Sequence, residues 1–232
     1  MQQQLTDLVL RLQDAFASSL VSVVLYGSAA ANDRDESFSD LNILCVLKHV
    51  TPTELMHAEP VWNWWRAFGN PTPLLFTEEE VHQSADSFPL EFRDMQERRR
   101  ILYGIDLVAD LKVEHTFYRA VLERELRVNL FRLRQKAAVV LSDPEALLRL
   151  CADSVSTFCV LGRHLLLASA AQAPVKRREI VAQIASQLKI DMAPMNTLLD
   201  VREGAADAIE PAALFARYLK TIESLVRHAD QL

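Results

Sequence analysis

Near residue 110 the hydrophobic period of the chain changes, and a single type of secondary structure cannot serve both sides of that change. Before it, short β-branched runs alternate with helical stretches; after it, apolar residues recur at every third or fourth position almost without interruption. Leu5 to Leu20 has helical spacing, and Val21-Ser22-Val23-Val24-Leu25-Tyr26 is then a strand that stops at Gly27. Leu41 to Leu47 reads as a second strand, and a helix from about Thr53, opened by Thr-Pro-Thr-Glu, reaches Gly69. Asn70-Pro71 and Thr72-Pro73 break the chain before the short run Leu74-Leu75-Phe76, and Arg100-Ile101-Leu102-Tyr103-Gly104 reads as one more strand.

From about Glu114 the pattern is helical. Phe117, Val121, Leu122, Leu126, Leu130, Phe131 and Leu133 recur at three- and four-residue spacing, and Ser142-Asp143-Pro144 ends one helix and starts the next. Ala146–Ala171 is apolar on most faces, as the central helix of a bundle must be. Val175–Leu188, a short piece around Met195–Val201 and Pro211–Ala229 complete four or five helices. The expected organisation is α+β: a mixed α/β domain over residues 1–110, then an all-α helical bundle over 111–232, with the boundary near 108–114.

Composition narrows the class of function. Half of the 232 residues are apolar and 24% are charged, which suits a globular chain with a sizeable core. Five glycines are too few for a glycine-rich β-sandwich or a dinucleotide-binding fingerprint. The net charge of −6 is concentrated in the first half, so a bare electrostatic grip on nucleic acid is not expected. No unbroken apolar stretch approaches about 20 residues, and Met-Gln-Gln-Gln lacks the basic start of a secretory signal, so a cytoplasmic protein without a membrane partner is expected. Cys45, Cys151 and Cys159 have apolar neighbours and read as buried free thiols.

One constellation carries chemistry: Leu25-Tyr26-Gly27-Ser28, eleven residues, then Asp40-Leu41-Asn42-Ile43-Leu44. A strand that ends in Gly-Ser and turns into a helix exposes backbone N–H groups and a hydroxyl, which makes a phosphate cradle. Residues two apart on a strand share a face, so Asp40 and Asn42 are expected side by side next to that cradle, as a Mg²⁺–nucleotide site requires.

At these residues the sequence resembles the nucleotidyltransferase superfamily, whose signature is a Gly-Ser turn, a gap of about ten residues, then Asp-hydrophobic-Asp/Glu-hydrophobic. The resemblance spans roughly residues 20–105, and the helical second half is similar to that of small-molecule nucleotidyltransferases, including those that adenylylate aminoglycosides. It implies a palm-like mixed sheet flanked by helices, and transfer of a nucleoside monophosphate from a Mg²⁺-bound nucleoside triphosphate to a hydroxyl of a small molecule or protein. Carried onto this chain, Gly27 and Ser28 hold phosphates, and Asp40 and Asn42 are the catalytic and metal-binding pair, with the acceptor in a cleft between the domains. The family's second carboxylate falls on Asn42, a neutral amide, and its third falls on Leu74 or Phe76. Glu78 and Glu79 follow closely but are better suited to open a helix at Thr77. Catalysis is therefore expected to be weakened, and the alternative is a non-catalytic, nucleotide-binding or antitoxin-like protein-interaction descendant. An oligomer stays open.

Three further features have plainer readings. Trp62 and Trp65, one turn apart, suit helix-to-sheet packing more than base stacking. Arg98-Arg99-Arg100 is expected to be a solvated face pairing with Glu91, Asp94 or Glu97, with a triphosphate clamp as the alternative. The six histidines lack metal-binding spacing, and Arg163-His164 reads as a partly buried helix contact.

Overall fold

In the computed structural model, which describes residues 1–30, 41–113, 115–169, 172–205 and 209–232, the run Leu20–Tyr26 forms a strand, β1, that is paired along both edges. Its antiparallel neighbours are β2 (Asn42–Leu47) and the last strand of the sheet, Arg99–Gly104. β3 (Leu74–Thr77) runs parallel to β2, and with Arg99–Gly104 as β4 the order is β3-β2-β1-β4. This is the mixed sheet that the sequence leads one to expect.

Alternation along the strands divides the apolar residues between two faces. Val23, Leu25, Ile43, Cys45 and Leu47 pack with Leu5, Leu8, Leu12 and Phe16 of helix α1 (Gln2–Phe16) and with Ala58, Val61 and Trp65 of α2 (Pro52–Arg66). Val24, Leu44 and Val46 turn the other way, onto Val81 of α3 (Glu78–Gln83) and Phe92 and Met95 of α4 (Pro89–Glu97). Burial on both faces is why β1 and β2 read as nearly continuous apolar runs. Trp65 is fully buried, and its indole N–H donates to the carbonyl of Pro71 at 3.1 Å, tying the helix to the proline break that follows it. Trp62 and Trp64 pack against the same cluster, so the tryptophans serve packing.

Two helices start by the same device. Thr51 and Thr77 accept from the first-turn backbone, while Glu54 and Glu80 reach back to the cap N–H. The hydrogen bonds from Thr51 hold the Glu54 carboxyl below its usual range. α4 has no such signal in the sequence: Pro89 opens it without a side-chain cap, and packing of Phe92 and Met95 against the sheet stabilises it instead.

At one end of the sheet the β1–β4 pairing closes tightly. The buried hydroxyl of Ser22 donates to the carbonyl of Ile105 at 2.7 Å. Gly104 has φ +74, and a Cβ there would lie 1.9 Å from the carbonyl oxygen of Val21.

These elements form one compact unit, Met1–His115; a second covers Thr116–Leu232. Its described helices are α5 (His115–Val140), α6 (Pro144–Ala168), α7 (Arg177–Leu188), α8 (Ala193–Arg202) and α9 (Pro211–Asp230). α6 packs against α7, α8 and α9. Phe158 and Cys159 are buried along it, and Ser154 meets the hydroxyl of Tyr218 on α9 at 2.9 Å. Burial drives the Tyr218 phenol strongly upward. Arg163 and His164, expected to be only partly buried, are both 1% exposed: His164 Nδ1 stands 2.6 Å from the hydroxyl of Tyr118, and Arg163 donates to the carbonyl of Pro174 at 3.1 Å. By length and composition α6 could cross a membrane, because its few charged residues are spread along it, but most of its apolar window is buried against the rest of this unit. All three cysteines are buried and free.

The Gly104 contact yields a direct comparison. Gly69 also has a positive φ (+83) but nothing within 4 Å of an added Cβ, so Gly69→Ala is expected to cost about 1–2 kcal/mol of backbone strain. Gly104→Ala must in addition separate β4 from β1 and should cost about 4 kcal/mol or more. Urea unfolding of the two variants checks this; equal losses would show that the β1–β4 approach is looser than described.

Candidate functional site

β1 ends at Tyr26, and the chain turns at Gly27 with φ +81. Two constraints select glycine there: the left-handed backbone, and an added Cβ only 3.3 Å from the amide Nδ2 of Asn42. Asn42 heads β2 and pairs with Tyr26, which on its other side pairs with Arg99. Asn42, Tyr26 and Arg99 therefore form one row across three strands, on the same face. The Gly27 turn and the expected ligand Asn42 do come together.

The phosphate cradle differs from expectation in two ways. The N–H of Gly27 already donates to the carbonyl of Arg98 at 3.0 Å, so Gly27 contributes shape and has no donor left for a phosphate. Ser28 opens a 3₁₀ turn, Ser28–Ala30, whose Ala30 N–H returns to the carbonyl of Gly27 at 3.1 Å. Asp40, the first of the expected metal pair, lies outside the described residues.

The register of β3 settles where Glu78 and Glu79 stand. Thr77 pairs with Leu47, at the opposite end of β2 from Asn42. Five residues at about 3.3 Å each separate those ends by about 17 Å. Glu78 and Glu79 lie in the first turn of α3, where Glu79 accepts from Gln83 at 2.7 Å, so neither serves as a third carboxylate beside Asn42. Leu74 pairs with Leu44 and Phe76 with Val46, so the strand position expected for that carboxylate is apolar. Among the described residues no group of three or more His, Cys, Asp or Glu is arranged to hold a metal ion.

Among the described residues, Glu91, in the first turn of α4, is an acid that acts on Tyr26 at this end of the sheet. Burial, and after it the charge of Glu91, push the Tyr26 phenol up to about 12. From the sequence, Glu91 reads only as a partner for arginine; its position depends on how α4 folds over the sheet, which spacing along the chain does not reveal. The arginines are half-buried, contrary to the solvated face expected of them, because they enter the sheet. Arg98 pairs with Asp94 at 3.4 Å, as anticipated. Arg99 is instead taken by Asp106, whose oxygens accept from Nε and Nη2 at 2.8–3.0 Å and also cap the N–H groups of Val108 and Ala109. The hydrogen bond from Arg99 is the largest influence holding the Asp106 carboxyl below its ordinary range.

Compared with solved structures, the chain is similar to the crystal structure of spectinomycin adenyltransferase AAD(9) from Enterococcus faecialis with ATP and spectinomycin, at TM-score 0.65 and 13% identity over 99% of both chains. The chain thus has a nucleotidyltransferase-like fold. No protein-family model matches the sequence, and no curated protein matches it.

The charge of Glu91 near Tyr26 has a pH signature. The Tyr26 phenol ordinarily titrates at 10.0 and is raised to about 12, so its stabilising contribution is present below pH 10 and is lost as pH climbs toward 12. Glu91→Gln removes a negative charge and should lower the Tyr26 pKa from about 12, while burial, the larger cause, keeps it above 10. Tyrosinate absorbance of each protein minus its Tyr26→Phe counterpart measures this; an unchanged midpoint in Glu91→Gln would remove Glu91 from this end of the sheet.

Proposed function

We propose that this chain binds a Mg²⁺-bound nucleoside triphosphate at the turn formed by Gly27 and Ser28, and transfers its nucleoside monophosphate to a hydroxyl acceptor only slowly. The observation that carries the reading is the left-handed Gly27 turn set against the Asn42 amide, with Tyr26 between β2 and β4, in a chain whose fold matches spectinomycin adenyltransferase over 99% of its length. The structure of that neighbour holds ATP and spectinomycin, which supports a nucleotide and a small hydroxyl-bearing molecule as the partner classes.

The donor set fits a loosely held divalent cation. Mg²⁺ commonly takes one or two carboxylates and completes its shell with phosphate oxygens and water. Asp40 would supply a charge and Asn42 one neutral oxygen, one charge fewer than a carboxylate pair. Mg²⁺ supplies the neutralisation of phosphate charge when bound. Ser28 begins the turn and is the residue assigned to the phosphates, with Gly27 giving the turn its shape. Asn42 orients the polyphosphate without attracting the cation strongly. General-base help is typically worth about 10²–10⁴-fold, and β3 places leucine and phenylalanine where that base would stand, so slow transfer follows. A cytoplasmic location accompanies this reading.

The neutral Asn42 favours the alternative of a nucleotide-binding protein without turnover, and the two are separable. Asn42→Asp is expected to tighten Mg²⁺–ATP binding about tenfold by restoring a charged ligand, and Asp40→Ala to abolish the metal dependence. Calorimetric titration with each nucleoside triphosphate, with and without Mg²⁺, measures both; indifference to both substitutions would sink the proposed metal site. Labelled nucleotide with a panel of hydroxyl acceptors measures transfer. Fast turnover that disappears in Asp40→Ala would overturn the slow-transfer reading, and binding without any transfer would select the alternative.

A further inference from the structure

Three consecutive arginines, Arg98 at the end of α4 and Arg99 and Arg100 in β4, lie at the end of the sheet that carries Gly27 and Asn42, and their surroundings set one apart. Arg98 is paired with Asp94 and Arg99 with Asp106. Arg100 faces Leu25 across the β1–β4 pair, and among the described residues it has no carboxylate partner. Its Nε and Nη2 are both buried without a hydrogen-bond partner. Arg98 also leaves its Nε unpaired, but Asp94 compensates its charge. Arg100 thus keeps two buried nitrogens whose desolvation no described residue offsets.

Position gives the group a use. The carbonyl of Arg98 accepts the N–H of Gly27, so Arg100 lies two residues along β4 from the point where the turn is tied to the sheet. Alternation puts Arg100 on the Leu25 face, opposite the row of Asn42, Tyr26 and Arg99 and on the side where Ala29 and Ala30 of the turn pack. Two residues of strand cover about 6.6 Å, a distance an extended arginine side chain spans. A planar guanidinium with free N–H groups matches phosphate oxygens, which can be engaged two at a time. We infer that Arg100 is an anion receptor of this end of the sheet and takes a phosphate group of the nucleotide's polyphosphate chain. The inference rests on the nucleotide reading given above and adds to it a residue from β4, a strand that the Gly-Ser and Asp-x-Asn pattern does not include.

Calorimetric titration of the wild type, Arg100→Gln and Arg100→Lys with Mg²⁺–ATP, sodium tripolyphosphate and adenosine tests it. Arg100→Gln is expected to weaken ATP and tripolyphosphate about 10- to 100-fold while leaving adenosine unchanged, and Arg100→Lys to recover part of the loss. The unliganded Arg100→Gln protein should melt no lower than wild type, since an uncompensated buried charge has been removed. Equal ATP binding by wild type and Arg100→Gln would overturn the assignment and leave the nucleotide reading standing. Tripolyphosphate binding that depends on Arg100, with ATP no tighter and adenosine not bound, would uphold the anion receptor and overturn the nucleotide. Absence of ATP and tripolyphosphate binding in the wild type would overturn both. A lower melting midpoint in Arg100→Gln, or a parallel loss of adenosine binding, would make Arg100 a scaffold residue.

Discussion

Everything at the candidate site depends on β1 being paired along both edges at once. Tyr26 is held opposite Asn42 by one ladder and opposite Arg99 by the other, and the turn at Gly27 begins one residue beyond that row. A slip of one residue in either ladder would turn each side chain of the slipped strand to the opposite face. Such a slip would also exchange the side chains of β1 or β2 between two covered faces and break the fit of both clusters. The burial that stabilises the sheet therefore also fixes the geometry of its polar end.

The electrostatics of that end point in one direction. A site of this type ordinarily gathers carboxylates, which bind a cation, which in turn holds phosphate. Here one carboxylate position is an amide and the strand alongside offers no acidic side chain, while Arg100 stands without a carboxylate of its own among the described residues. On the proposed reading, fewer anions and one guanidinium without a described partner would shift the attraction for polyphosphate from a bridging cation toward the protein itself. On that reading, the change that slows transfer would also make retention of a nucleotide less dependent on metal.

The sheet and the helices of the second unit were largely legible because their signals are local. β-branched runs bounded by glycine, threonine capping boxes and three-to-four spacing each determine an element without reference to the rest of the chain. The juxtaposition of Gly27 and Asn42 was legible for a related reason, since a motif with fixed spacing on two neighbouring strands leaves few ways to fold. What escaped was long-range or purely geometric. α4 has no cap to announce it, Asp106 beyond the end of β4 reaches back to Arg99 at its start, and the N–H of Gly27 is consumed by Arg98, a residue 71 positions away. The distance separating Glu79 from Asn42 could be read only from the parallel register of β3, which no composition encodes.

The buried thiols have a consequence of a different kind. Burial drives Cys45 and Cys159 up to about 12 and Cys151 up to about 11, so in the folded protein almost none of the reactive thiolate exists at neutral pH. Alkylating reagents can modify these sulfurs only after the surrounding structure opens. Cys45 lies within the sheet of one unit, and Cys151 and Cys159 lie on the central helix of the other. The chain therefore carries a built-in clock for each half: the rate at which each cysteine becomes labelled counts the openings of its own unit, without any engineered probe.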